Sequence, residues 1–251
     1  MKAALIQLNS SDDPAENLIE TQAYVEEAAA QGAQFVLTPE VTNCVSASRS
    51  HQQAVLCSQQ NDPTLAALQS QAGALGIWLL IGSLGLKTDD PDGRFANRSF
   101  LIDPDGRIQA QYDKIHMFDV QVTPEETYRE SDGYRPGKRA VLAQTPFATI
   151  GMTICYDIRF PHLYQKLALA GANILTVPAA FSHVTGKAHW ETLLRSRAIE
   201  NGCFVMAPAQ PGTHKATVGK SRTTHGHSMV IAPWGEVLLD AGTEPGVHMV
   251  D

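Results

Sequence analysis

Along this chain, apolar runs of strand length alternate with longer mixed segments of helix length. Residues 2–8, Lys-Ala-Ala-Leu-Ile-Gln-Leu, predict a strand. Residues 14–31 are dominated by Ala, Glu and Gln and predict a helix, which Gly32 stops. A strand over 34–37, a helix over 63–75 and a buried strand over 77–81 follow. Residues 98–103 and 107–112 predict a hairpin, because Pro104-Asp-Gly106 between them is a turn signal. A strand over 149–154 leans on Ile150, Met152 and Ile154. Pro161 suits a first helical position and opens a helix that runs to Ala170, before Gly171. Trp190, Leu193, Leu194 and Ala198 fall at helical spacing within 185–200, and Asn201-Gly202 ends that helix. Strands over 204–207 and 227–231 lead to the turn Pro233-Trp-Gly-Glu236 and a last strand over 237–239. Helices interleave with strands, while the hairpin demands antiparallel pairing. The expected class is therefore α/β with mixed sheets.

A short internal echo adds to this. Gly32-Ala-Gln-Phe-Val-Leu-Thr-Pro39 resembles Gly171-Ala-Asn-Ile-Leu-Thr-Val-Pro178, and each follows a predicted helix and enters an apolar strand. The echo fits a chain of two related α/β halves, and equally a chance likeness between helix–glycine–strand units.

Composition narrows the classes. The 251 residues are 43% hydrophobic and contain no linker or low-complexity segment, so one domain over 1–251 is expected. A net charge of −7 without a long single-sign run argues against nucleic acid as a partner. The first residues run straight into a strand, with no secretory pattern, and no apolar stretch approaches a membrane span. Cys44, Cys57, Cys155 and Cys203 lack CxxC spacing, which suggests neither zinc nor a thioredoxin-type motif. A reducing cytoplasm is the expected location, with no membrane partner.

Three segments put reactive groups just past predicted strands. Cys155 sits where a strand hands over to a helix. Backbone N–H groups and a positive helix end gather there, a setting that lowers a thiol pKa and offers donors to an oxyanion. Alone, a cysteine at a strand end is more often a small buried apolar residue. Glu40 follows the apolar run Phe35-Val-Leu37 almost directly, where a carboxylate is costly unless paired. Lys114 follows the strand over 107–112, and alone it reads as a solvated charge. Together the three supply a base, a cation and a nucleophile where α/β folds gather their sites.

In this order, Glu40, Lys114 and Cys155 resemble the Glu–Lys–Cys triad of the nitrilase (carbon–nitrogen hydrolase) superfamily. The likeness runs from Met1 to Asp251. It includes Asp103-Pro-Asp-Gly-Arg107, Pro178-Ala-Ala-Phe181, Gly186-Lys-Ala-His-Trp190, Arg195-Ser-Arg-Ala-Ile-Glu-Asn201 and Gly226-His-Ser-Met-Val-Ile-Ala-Pro-Trp-Gly-Glu236. Tyr128-Arg-Glu-Ser131 looks like the family segment with a second glutamate, so Glu130 is a candidate fourth member. The resemblance implies a four-layer α-β-β-α sandwich, often paired through an outer helical layer into dimers or larger assemblies. It implies amide hydrolysis through a thioester, with the backbone N–H of Tyr156 as an oxyanion donor and without metal or cofactor.

Nitrile-cleaving members usually carry Cys-Trp-Glu, whereas this chain has Cys155-Tyr156-Asp157. With Arg159-Phe-Pro161 and Thr185-Gly-Lys-Ala-His-Trp190, that sequence resembles the Nit branch, amidases of small α-keto acid amides. Ala179-Ala-Phe181 and Ala207-Pro-Ala-Gln210 lean toward its deaminated-glutathione group. An ω-amidase acting on α-ketoglutaramate or α-ketosuccinamate, another aliphatic amidase and an N-carbamoyl hydrolase are the alternatives. Ala180, Phe181 and Lys187 are candidate substrate contacts. Lys187 replaces a frequent family proline, and it either suits an anionic substrate or faces water. His116, His162 and His189 read as hydrogen-bonding structure, and the pairs His225/His227 and His183/His189 lack metal spacing. Cys44 reads as packing beside the site. Arg195 and Arg197 either grip an acidic substrate or hold a carboxylate across an interface. Asp157 and Arg159 are expected to pair and fix the turn after the nucleophile.

Overall fold

The computed structural model describes residues 1–124 and 126–251. Its first half contains β1 (Ala3–Gln7), α1 (Pro14–Ala30), β2 (Phe35–Leu37), α2 (Arg49–Val55), α3 (Pro63–Leu75), β3 (Trp78–Leu86), β4 (Ala96–Ile102) and β5 (Ile108–Asp113). A small hairpin of β6 (Asp119–Gln121) and β7 (Thr127–Arg129) leads into the single turn α4 (Glu130–Gly133). The second half contains β8 (Val141–Gln144), β9 (Thr149–Met152), α5 (Pro161–Leu169), β10 (Ile174–Thr176), α6 (His183–Asn201) and β11 (Phe204–Ala207). It closes with β12 (Pro211–Thr213), β13 (Thr223–His225), β14 (Met229–Ile231), β15 (Val237–Asp240) and β16 (Gly246–Val250).

Local chemistry sets these limits. Asp13 and Asp62 accept backbone N–H groups as N-caps of α1 and α3, each followed by a proline, and Gly76 and Gly202 end α3 and α6 in the left-handed region. The Pro104–Gly106 turn joins β4 to β5 as an antiparallel pair, as the hairpin signal predicts.

Two six-stranded sheets result, in the orders β16-β1-β2-β3-β4-β5 and β15-β14-β11-β10-β9-β8. Each holds three parallel strands, β1-β2-β3 and β9-β10-β11, extended on one side by one antiparallel strand and on the other by two. The internal echo thus corresponds to equivalent strands, since β2 and β10 are the middle parallel strands of their sheets.

The period-two alternation of strands separates two cores. Ala4, Ile6, Val36, Leu79 and Ile81 face Val25, Ala28, Leu65 and Leu68 on α1 and α3. Ala3, Leu5, Phe35, Leu37 and Leu80 point the other way, into the core shared with the second sheet. Leu163, Tyr164, Leu167, Trp190, Leu194 and Ala198 bring α5 and α6 against the second sheet. The order of layers is α-β-β-α, as the resemblance implies.

Some elements differ from expectation. β3 runs on to Leu86 through a register shift after Ile81, and α6 begins at His183. β16 returns the C-terminal residues to the edge of the first sheet, against β1. The irregularity in β3 has a purpose at Gly82. A Cβ there would lie 2.0 Å from Thr38 O and 2.5 Å from Pro39 O. Only glycine lets the segment before Glu40 cross so close to β3.

Candidate active site

Glu40 is fixed from several sides. Thr38 Oγ1 accepts the Gly82 N–H at 3.1 Å, and Ser83 Oγ accepts the Val41 N–H at 2.8 Å. Val41 adopts φ +50°, which turns the chain sharply just after the carboxylate. The side chain is buried, and its Oε2 accepts the Ala180 N–H at 2.8 Å from the other half of the molecule. Its Oε1 accepts Lys114 Nζ at 2.8 Å and Asn97 Nδ2 at 2.9 Å.

Lys114 leaves the end of β5 and is 2% exposed. Its Nζ also donates to both oxygens of Glu130 at 2.9 Å. Glu130 stands at the start of α4, where its Oε2 additionally accepts the Phe118 N–H at 2.6 Å. Asn97 Nδ2 reaches Glu130 Oε1 at 3.4 Å, so one amide touches both carboxylates.

Cys155 follows β9 at φ +48°, opening a 3-10 turn over Cys155–Arg159. Its N–H donates to Pro178 O at 2.9 Å, and its thiol adjoins the Glu40 carboxylate. Buried Asp157 braces the turn. It accepts Tyr112 Oη at 2.7 Å, the Ile154 N–H at 2.9 Å, and both the N–H (3.0 Å) and Nδ1 (2.7 Å) of His116.

The charges follow from this packing. Burial favours protonated Glu40, yet Lys114 alongside outweighs it and holds the carboxyl down to about 2. Burial opposes the Lys114 charge, but Glu130 and Glu40 together keep its pKa well above the ordinary lysine value. Burial, then the neighbouring Glu40 charge, pushes the Cys155 thiol well above its usual range. The expectation of a lowered thiol pKa is thereby overturned, because the turn's N–H dipoles do not offset a dry site beside a carboxylate. The resting arrangement is a neutral thiol beside an ionised base, with a fixed ammonium bonded to that base. Such a set can move the thiol proton to Glu40 as sulfur attacks, and can offer positive charge to a developing oxyanion.

A cavity of about 800 Å³ opens onto this cluster, lined by Glu40, Lys114, Glu130 and Cys155. Ala180, Phe181 and Tyr156 line it too. Lys187 does not: it lies exposed one turn into α6, beside a second depression with His225 and Asp240. Of its two readings, the one facing water is correct. Arg159 does not pair with Asp157, whose oxygens are taken; it bonds His189 Nδ1 and lies over the Phe181 ring. Arg197 holds Ile158 O and Glu200, and Arg195 holds Gly235 O and Glu191, so neither reaches the cavity. Cys44 borders the cavity, and burial raises its thiol to about 12.

Asn97 and Arg222 also line the cavity. The first is a neutral polar residue within a strand pattern, and the second sits in the polar run Gly219-Lys-Ser-Arg-Thr223, which has no periodicity. Neither gave a signal that sequence reasoning could use.

The carbon-nitrogen hydrolase family model matches residues 2–251. The chain belongs to the carbon–nitrogen hydrolase family. It is 41% identical over 237 residues to a deaminated glutathione amidase of Yersinia enterocolitica, covering 94% of this chain and 80% of that one. It is 36% identical over 250 residues to the omega-amidase NIT2 of Homo sapiens, covering 100% of this chain and 87% of that one. Among solved structures, the C. elegans NitFhit protein superposes with a TM-score of 0.89 at 32% identity over 99% of this chain. The chain spans 60% of the length of that protein. This family member is a hydrolase of non-peptide C–N bonds. No helix among its described residues is long and apolar enough to cross a membrane.

Proposed function

We propose that the protein hydrolyses the amide of a small carboxylate-bearing acid through a thioester on Cys155, with deaminated glutathione as substrate. The observation that carries this reading is that Cys155 lines one cavity with the hydrogen-bonded chain Glu40–Lys114–Glu130. Glu40 takes the thiol proton as sulfur attacks the amide carbon, and passes it to the departing amine. Lys114 and the Tyr156 N–H hold the tetrahedral oxygen. Water then enters, Glu40 takes its proton, and the acid leaves as Cys155 regains its hydrogen. Glu130 keeps Lys114 charged and aimed. The name of the Yersinia relative supports the substrate, and the human relative's name supports an omega-amidase activity as the second reading.

The test compares kcat/KM for deaminated glutathione, α-ketoglutaramate and a plain aliphatic amide, because that ratio reports transition-state discrimination. The first should win by at least about tenfold. Cys155→Ala should end turnover, and activity surviving it would remove the mechanism.

We further read residues 1–251 as one catalytic unit acting in a reducing cytoplasm and self-associating through the α6 side. Trp234 is 87% exposed in a turn that abuts exposed Ile199, with Leu238 nearby in sequence and also exposed, which supports that surface. Sedimentation should find a dimer or larger species that Trp234→Glu weakens, and a monomeric wild type would end the assembly reading.

A further inference from the structure

The cavity wall next to Glu40 carries a second group of unmet polar atoms. Arg222, half-buried, donates from Nη2 to Ala180 O at 2.6 Å and lies over the Tyr128 ring. Its Nε is shut from solvent and meets no acceptor, and no carboxylate among the described residues pairs with the guanidinium. Beside it, the 19-residue helix α6 begins in the cavity wall, with His183, Val184 and Thr185 lining the space. Ser182 is the N-cap residue, yet its Oγ makes no cap bond and has no partner, although the residue is only 2% exposed. Thr185 Oγ1 is also buried and unpartnered. An isolated bridge between Ser182 and Thr224 ties the helix start to the strand that follows Arg222.

These features share one chemistry. A helix start offers free N–H groups and positive potential, which favour an anion. Arginine adds a fixed cation whose planar donors match a carboxylate. Buried hydroxyls left without partners are costly unless a ligand completes them. The subsite also lies close to the reacting groups. Ala180 receives Arg222 on its carbonyl and gives its N–H to Glu40, so one residue links the cation to the base.

We propose that Arg222, Ser182 and the first turn of α6 form a subsite for a carboxylate on the acyl portion of the substrate. This inference rests on the amidase reading and adds the selecting element: acyl chains ending in an anion are preferred over neutral chains of similar length. The competing explanation is that Arg222 only holds the Ala180 peptide in place for Glu40.

Glutaramate and pentanamide separate the two explanations. For wild type, Arg222→Gln, Arg222→Lys and Ser182→Ala, ammonia release gives kcat/KM on each amide. The glutaramate-to-pentanamide ratio should fall about 100-fold in Arg222→Gln, less in Arg222→Lys, and several-fold in Ser182→Ala. Equal losses on both amides would assign Arg222 to holding Ala180 and overturn the subsite, as would an unchanged ratio. A second measurement needs no turnover: glutarate should slow alkylation of wild-type Cys155 by iodoacetamide, and the protection should vanish in Arg222→Gln. If wild type hydrolyses neither of these amides nor deaminated glutathione, the amidase reading fails, and the presence or absence of glutarate protection still decides the subsite.

Discussion

Glu130→Gln offers the sharpest test of how the charged cluster works. Glu130 never meets the thiol in the hydrogen-bond pattern; it acts on Lys114 through two contacts of 2.9 Å. At that separation the Coulomb attraction is about 6 kcal/mol for an effective dielectric of about 20. Most of it offsets the desolvation of burying the ammonium. Glutamine keeps the shape but loses the charge, and its amide N–H must face a donor, whether Lys114, Asn97 or the Phe118 N–H. The loss is then that of one or two charge-assisted hydrogen bonds, about 2–3.5 kcal/mol. Lys114 would lean on Glu40 alone, drawing electron density from the base and leaving the oxyanion less well held. Expressed as a barrier, this lowers kcat roughly 30- to 400-fold, with KM little changed because the ground-state amide carries no oxyanion. Steady-state ammonia release from α-ketoglutaramate measures it, with near-UV circular dichroism to confirm the fold. A variant within threefold of wild type, or one whose entire loss appears in KM, would refute the reasoning.

Other outcomes follow from single contacts. Gly82→Ala should cost about 3 kcal/mol or more in urea denaturation, and most of the activity, because its Cβ would lie 2.0 Å from Thr38 O; a change under about 0.5 kcal/mol would contradict the close crossing. Tyr112→Phe should cost about 1–3 kcal/mol, since it takes a 2.7 Å donor from buried Asp157. The same melts would read this, and an unchanged midpoint would mean that His116 and Ile154 suffice. His214 is buried, and burial pulls its pKa from 6.5 to about 4. The unfolded chain binds that proton first as pH falls, so this stabilisation is complete above pH 6.5 and is lost progressively toward pH 4, by about 3 kcal/mol. The stability gap between wild type and His214→Gln should therefore shrink over that range, and a constant gap would rule the effect out.

The parts of the site legible in the sequence were those delivered by regular elements. Glu40, Lys114 and Cys155 each stand just beyond a run of strand character, so a charge or thiol there is conspicuous. Glu130 was reachable only through the family likeness, because it follows a three-residue strand and opens a single helical turn, too short for any periodicity. Proximity in sequence pairs Asp157 with Arg159, whereas its side-chain partners Tyr112 and His116 lie 45 and 41 residues away. The thiol's raised pKa was invisible for a related reason: local helix-end chemistry can be read from order, whereas burial depends on the whole assembled cavity. The C-terminal strand escaped notice because Gly246-Val-His-Met-Val250 becomes a strand only by finding the open edge of β1.

The hydrogen bond from the Ala180 amide to Glu40 spans 140 residues and joins the segments that follow β2 and β10, one from each sheet. The orientation of the base is therefore borrowed from the opposite half of the molecule. A substitution that loosens the seam between the sheets, however far from the thiol, should dull turnover while both halves still look folded. In this enzyme, catalytic rate doubles as a gauge of how firmly the sandwich is closed.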